Sequence, residues 1–195
     1  DYVKIRIKLL FSAPGEGADH AVTITTRRLP WIMYVDPCWT KKHLIPRLEL
    51  THSVSEPAWN GFLQSGRIPS PPLAEAIKPL LLEFLPHVAA FSWEENLSNI
   101  AIQWLGYMRI FYSDKPSGLT RNEMRSVLRV ISDNNRSRFI SWLSKVGQKN
   151  EDGWVKYVIP LISNDWPRER QYMTSTLMSA WIGLLDSTNE SFPAV

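Results

Sequence analysis

Apolar residues recur with a helical period through most of the chain after residue 50. Behind Ser92 they fall at positions 97, 100, 101, 104, 105, 108 and 111, which is the spacing of an amphipathic helix. Ser92 and Glu95 have the separation of a capping box, in which each side chain satisfies a free backbone amide of the first turn. The pattern predicts a helix that ends near Tyr112, before the turn-forming residues 114–118.

Two more amphipathic helices are predicted between residues 120 and 147. Thr120 and Glu123 repeat the capping-box spacing, and an apolar stripe follows them. An asparagine at position 134 or 135 can cap the next helix. Gly147 suits the left-handed position at which such a helix ends.

Proline interrupts the remaining helical patterns. A helix from Glu151 or Asp152 to Ile162 should kink at Pro160, which has no backbone amide to donate. A last helix is predicted to begin near Trp166-Pro167, because proline is tolerated in a first turn. The apolar face assigned to it comprises Met173, Leu177, Met178, Trp181, Leu184 and Leu185.

Helices are also predicted upstream of residue 91, where prolines are frequent. One spans Pro72 to Ala90 and is disturbed by Pro79 and Pro86. A shorter one spans 57–64, with Ser55 as its cap.

The first fifty residues allow two interpretations. Residues 3–9 alternate apolar and basic side chains, which is a strand pattern, and residues 22–26 are β-branched. The two segments could form a hairpin, but an isolated two-stranded hairpin is marginally stable. Asp19 is also a good helix cap, so a helix is favoured for 19–29. Residues 2–11 are left as either extended or helical.

Composition is that of a globular chain. The 195 residues are 44% hydrophobic and 21% charged, which excludes extended disorder and low complexity. The length suits one domain over 1–195, with an irregular part over 1–50 and helical pairs over 51–195. The ends suggest a fragment of a longer protein. The longest run without charge, 171–185, is shorter than the ~20 residues of a membrane span, so a cytoplasmic location is expected.

No catalytic or cofactor motif is found in the sequence. The lone Cys38 excludes an intramolecular disulfide, and it is expected to be a buried structural residue. The four histidines are scattered without metal-ligand spacing. We therefore expect no enzyme activity, catalytic residue, cofactor or metal. An enzyme would instead need a deep pocket lined by several titratable groups.

A candidate interaction surface comes from the uneven distribution of charge. Residues 101–150 have nine basic and three acidic side chains in a chain of net charge +3. Arginines four positions apart share one helix face. They could hold phosphates, or they could pair with carboxylates of a neighbouring repeat, which is the favoured interpretation. Trp93 is the tryptophan expected to be exposed, whereas most of the nine should pack in the core or at helix junctions. The candidate surface comprises Arg109, Arg121, Arg125, Arg129, Arg136, Arg138 and Trp93.

A series of Trp, Pro and Gly landmarks adds a resemblance. They lie in the segments 29–46, 58–63, 66–67, 77–79, 153–160, 166–167 and 190–193. In this order they resemble a C-terminal domain of unknown function in large bacterial proteins, many of which have a sirtuin-like NAD-hydrolysing domain and act in anti-phage defence. The resemblance covers about residues 15–195. It implies an all-helical, repeat-like region that regulates the parent protein or senses a phage protein.

These observations predict an all-α, irregular HEAT-like helical repeat. Its expected function is protein interaction or regulation within a larger defence protein, with the rest of that protein and a phage or host protein as partners. The alternative is a nucleic-acid-binding helical module that uses residues 109–149. No membrane contact is expected.

Overall fold

The computed structural model describes residues 2–91, 95–149 and 152–188. Every regular element in these ranges is helical, which confirms the all-α prediction. The α-helices are α1 (Tyr2–Phe11), α2 (Glu16–Arg27), α3 (Leu29–Val35), α4 (Pro37–His43), α5 (Ser55–Gln64), α6 (Pro71–Phe84), α7 (Glu95–Phe111), α8 (Arg121–Val130), α9 (Asp133–Lys149), α10 (Ile159–Asp165) and α11 (Ser175–Asp186). Short 3-10 segments lie at Ile45–Leu48, Leu85–Ala90 and Arg170–Tyr172.

The extended alternative for residues 2–11 is wrong, because this segment is the helix α1. Its less exposed side chains are Lys4, Ile7 and Phe11, which follow a helical spacing and not an alternating one. The β-branched segment that could have paired with it is part of α2. Without a neighbouring strand, a helix is the conformation that satisfies the backbone locally.

The helix predicted for 19–29 forms but begins earlier, at Glu16. Asp19 therefore lies in the first turn of α2 and is not its cap. A carboxylate there is still stabilised by the positive end of the helix dipole. Ser55 is likewise the first residue of α5 and makes no capping hydrogen bond. At both sites the predicted helix is present but begins earlier than predicted, and α2 also ends earlier, at Arg27.

Large aromatic side chains form the centre of the core. Trp59 stacks on Phe84 with ring centroids 4.1 Å apart, and Phe62 contacts Trp104 at 4.7 Å. The Trp59 indole nitrogen donates to the carbonyl of Leu48 at 2.8 Å, so its one polar group is satisfied. One connected buried cluster extends from α2 to α11.

The capping box of α8 is confirmed, whereas two other terminal predictions are wrong. Thr120 and Glu123 make both reciprocal hydrogen bonds. At α9 the hydroxyl of Ser132, and neither asparagine, accepts from a backbone amide, that of residue 135. Gly147 lies inside α9, where an added Cβ would lie 2.4 Å from the Trp154 ring. Glycine is needed at position 147 because the Trp154 ring packs directly on the backbone there.

The helices near Pro160 and Pro167 differ from the prediction. A π-helical turn, Trp154–Val158, precedes Pro160 and leads directly into α10. Trp166 has an extended backbone, as expected for a residue that precedes proline. The last helix therefore does not begin at Trp166-Pro167. It begins at Ser175, where the Thr174 hydroxyl accepts from the amide of Leu177.

Candidate functional site

Arg109, at the end of α7, binds the carboxylate of Asp165 at the end of α10. Its Nε donates to Asp165 Oδ2 at 2.6 Å and its Nη2 donates to Oδ1 at 3.3 Å. Asp165 is completely buried. Because an isolated buried carboxylate is strongly unfavourable, this two-point pair fixes α10 against α7.

Arg121 and Arg125 of α8 point to the same segment. Arg121 Nε lies 3.6 Å from Asp165 Oδ1, which makes the carboxylate a junction between α7, α8 and α10. Arg125 Nε donates to the backbone carbonyl of Asn164 at 2.9 Å. Both arginines thus bind the end of α10.

Arg129, the third arginine of the α8 row, pairs with Glu169 in the loop that follows α10. Its Nε lies 2.9 Å from Glu169 Oε1. The pKa of Glu169 is lowered by the hydrogen bond of its own backbone amide and then by the hydrogen bond from Arg129. Both side chains are more than two-fifths exposed, so solvent screens this pair.

Arg136 is buried, and its guanidinium contacts three neighbouring groups of the chain. It donates to the carbonyl of Leu128 at 2.8 Å and to Asp133 Oδ1, and it lies over the ring of Tyr172 at 5.0 Å. The hydrogen bond from Arg136 lowers the pKa of Asp133. Arg138 is half-buried and lines a polar depression between α7 and α9.

The eight described tryptophans pack in the core or at helix junctions as predicted, except for Trp31. Trp59, Trp104, Trp154 and Trp166 are buried. Trp31, for which the sequence predicts packing at a helix junction, is 60% exposed on α3. Trp93 lies outside the described residues.

The arginine cluster borders a cleft of about 570 Å³ between α7 and α10. Arg109 and Arg121 are held by Asp165, and Lys156 lies 5.3 Å from the ring centre of Tyr157. The lining also includes Ser113, Asp114, Lys156 and Tyr157, so several titratable side chains face this open cleft. The contacts of the arginines with Asp165, Asn164 and Glu169 hold the segment 164–169 in place.

Cys38 does not have the buried position expected of it. It is exposed in the first turn of α4, where Asp36 accepts the amide of Trp39 at 2.9 Å and Thr40 is buried. The inward positions of this short helix are thus taken by neighbouring residues. In the described ranges, no group of three or more His, Cys, Asp or Glu residues could hold a metal.

Helix α11 has two apolar stripes, and only one is covered. Leu177 and Leu184 are buried toward α9. Met178, Ile182 and Leu185 follow the same i, i+4, i+7 spacing on the outer side and are each about half exposed. The prediction of one inward face for the whole apolar set is wrong, because the set is wider than α9 can cover.

Met178 and Leu185 of the outer stripe line an apolar groove of about 610 Å³, which we call the α11 groove. Its floor is Trp166 and Trp181, which meet edge to face at 4.8 Å. Met173 and Met178 line its sides, and Arg168 lies at its rim. The width of the apolar face of this helix is the sequence signal that could have revealed it.

No helix in the described ranges combines the length and the apolar character needed to cross a bilayer. Comparison with protein-family models, curated proteins and solved structures gives no match to this chain.

Proposed function

We propose that this chain is a non-catalytic protein-interaction module, which docks an amphipathic helix of another protein in the α11 groove. The observation that supports the proposal is the uncovered stripe of Met178, Ile182 and Leu185. Its spacing is the one by which helices pack on helices. Contiguous exposed apolar surface of this kind is a feature of interaction sites.

The groove favours a particular partner chemistry. Its walls include two methionines, whose flexible side chains adapt to apolar partners. Arg168 at the rim donates to the carbonyl of Ser163 and has no carboxylate partner among the described residues. The occupant we propose is therefore a helix with an apolar stripe and an acidic flank that faces Arg168.

The wider context of the proposal comes from the sequence landmarks. Two of them, Gly61 and Gly153, lie at close contacts with the backbone of a neighbouring helix, and we interpret these contacts as packing between the stacked helical pairs of an irregular HEAT-like repeat. With the resemblance to defence proteins, this supports a cytoplasmic regulatory or sensor role inside a larger bacterial anti-phage protein. Its partners would be the rest of that protein and a phage or host protein.

The nucleic-acid alternative through residues 109–149 has less support. Arg109, Arg121 and Arg129 are engaged with carboxylates of this chain, and Arg136 is buried. Guanidiniums that already pair with carboxylates of the chain are less available to phosphates than free ones.

The groove can be tested by photo-crosslinking in the bacterial cell. Benzoylphenylalanine at position 185, where Leu185 lines the groove and is 53% exposed, should crosslink to one defined protein. The matched control is benzoylphenylalanine at position 155, because Val155 is also exposed and apolar, at 64%. The partner helix identified from the crosslinked peptide is then synthesised and titrated against the purified chain. We expect Met178→Glu to weaken its binding by tenfold or more and Val155→Glu to leave it unchanged.

Three results would contradict the docking proposal: crosslinks equal at both positions, crosslinks only to a second copy of the chain, or equal loss of affinity in both variants.

The regulatory role has its own test. Deleting this region should alter how phage infection triggers the parent protein, while the purified catalytic domain stays competent. A parent that is indifferent to the deletion would refute that role.

A further inference from the structure

A second surface, independent of the α11 groove, lies where α2 meets α3 and α5 ends. It is a cleft of about 370 Å³, which we call the basic cleft. Arg27, Arg28 and Arg67 line it together with Trp31. No local pattern in the sequence reveals this cleft, because its arginines are up to 40 positions apart in the chain.

The cleft exists because α2 and α5 pack unusually closely. A Cβ on Gly61 would lie 2.1 Å from the Thr23 carbonyl oxygen, so only glycine permits this contact. Thr23 also donates to the Pro57 carbonyl at 3.1 Å, whereas Arg27 shares the cleft with Gln64. The two helices therefore run in the same direction and end side by side.

Local backbone features then place the charges. Arg28 connects α2 to α3, whose second position is Pro30. After α5, Gly66 adopts a left-handed φ of 62°, and the next residue is Arg67. The carbonyl ends of two helices meet here, and their negative potential favours cationic side chains.

The charge of the basic cleft is not neutralised by its own walls. All three arginines are exposed, and none forms an ion pair with a described residue. Among the described residues that line the cleft, none is acidic. This differs from the α7–α10 cleft, in which Asp165 forms ion pairs with Arg109 and Arg121.

An aromatic platform accompanies these cations. Trp31 is 60% exposed, and Tyr34, one turn later on the same helix, is 87% exposed. Residues three apart share a helix face, so both side chains lie on the same side of α3. Exposed aromatic rings beside arginines are the combination that binds bases by stacking and phosphates by charge.

We propose that the basic cleft binds a nucleotide unit, whose base stacks on Trp31 and whose phosphate is held by Arg27, Arg28 and Arg67. The cleft volume suits one such unit. The same chemistry is offered by a free nucleotide and by a single-stranded nucleic acid, on which Tyr34 would stack the adjacent base.

The test is fluorescence anisotropy with a labelled single-stranded oligothymidylate of about ten nucleotides, over a salt series. We expect binding to weaken by at least tenfold in the triple variant Arg27→Gln, Arg28→Gln, Arg67→Gln. The slope of log K against log salt should flatten by about 0.7 for each phosphate that the variant no longer neutralises. The matched control, Lys145→Gln, Lys149→Gln, Arg170→Gln, removes the same charge elsewhere and should bind as the unsubstituted chain does.

Stacking is tested separately at Trp31. We expect Trp31→Ala to weaken binding about fivefold or more with an unchanged salt slope, and Trp31→Phe to retain most of the affinity. Circular dichroism establishes that each variant is folded. Competition with unlabelled mononucleotides distinguishes the two sources: effective competition indicates a free nucleotide, and competition by strands alone indicates a single strand.

Several outcomes would overturn this proposal. They are no binding of strand or mononucleotide at low salt, equal loss in the control variant, and Trp31→Ala binding as tightly as the unsubstituted chain. Competition by inorganic phosphate or polyglutamate at the same concentration as nucleotide would also overturn it, because the cleft would then bind any anion.

Discussion

The Arg109 guanidinium and the Asp165 carboxylate, 56 positions apart in the chain, form a two-point hydrogen-bonded ion pair in which the carboxylate is fully buried. Arg121 approaches the same carboxylate from α8. The pair therefore fixes the position of the end of α10 against α7 and α8. It also positions the neighbouring Asn164 carbonyl, which accepts the hydrogen bond from Arg125.

Replacing Asp165 by Asn is expected to destabilise the fold strongly. The substitution leaves Arg109, whose side chain is 22% exposed, without its counter-charge. Breaking a buried pair by removing one partner costs roughly 3–5 kcal/mol, and the partial exposure of Arg109 places the expected loss at the lower end. Urea unfolding followed by circular dichroism measures it.

The control for this variant is Glu169→Gln, which removes the solvent-exposed partner of Arg129. Because exposed pairs are screened, its unfolding midpoint should stay close to that of the unsubstituted chain. Equal effects of Asp165→Asn and Glu169→Gln would contradict the assignment of Asp165 as the structural junction.

The capping box of α8 predicts a loss of stability in acid. Burial raises the pKa of Glu123, but hydrogen bonds from the Thr120 amide and hydroxyl and the charge of Lys78 outweigh it, so the pKa is lowered from 4.5. The folded state thus binds the proton less readily than the unfolded state. The contribution is complete above pH 4.5 and is lost as the pH falls through the lowered pKa.

Glu123→Gln has no charge to titrate but can still form the box. The difference in unfolding free energy between the unsubstituted chain and this variant should therefore shrink between neutral pH and roughly pH 3. A difference that is constant with pH would show that the charge of Glu123 contributes nothing. Thr120→Ala, which removes the cap itself, should cost about 1 kcal/mol at neutral pH.

The indole hydrogen bond of Trp59 predicts an unequal effect of one substitution at two tryptophans. Trp59→Phe removes the donor to the buried Leu48 carbonyl and leaves a small cavity, so a loss of about 2–4 kcal/mol is expected. Trp31→Phe changes an exposed ring and should leave the unfolding free energy almost unchanged. Similar losses in both would contradict the burial assigned to these residues.

Local signals explain what could be predicted from the sequence. The box at Thr120 and Glu123 is a contact within one turn, and the stripe of α7 is a repeat within one helix, so both are visible in the sequence. The alternation over residues 3–9 is misleading because the choice between helix and strand depends on whether residues 22–26 can pair with it. The predicted end of α9 is wrong because Gly147 makes room for the Trp154 ring and does not end the helix.

The candidate sites depend even more on distant residues. The partners of the arginine row lie at 164–169, about 40 positions away, and no spacing rule connects them. The α11 groove and the basic cleft arise from what the neighbouring helices leave uncovered. The exposure of Trp31 could not be inferred from its neighbours, since a tryptophan next to a proline is equally compatible with a buried junction.

The close packing of α2 on α5 makes opposite predictions for two glycines. Gly61→Ala would place a methyl group 2.1 Å from the Thr23 carbonyl oxygen and 2.4 Å from the Thr26 hydroxyl, so the helices must separate. Overpacking of this kind costs about 1–3 kcal/mol, and here the backbone carbonyl cannot move aside. Gly183 lies within α11, with nothing within 4 Å of an added Cβ. Gly183→Ala should therefore stabilise the chain by roughly 0.5–1 kcal/mol through helix propensity. Thermal and urea unfolding of the two variants check both signs, and a neutral Gly61→Ala would mean that α2 and α5 are not in the contact described.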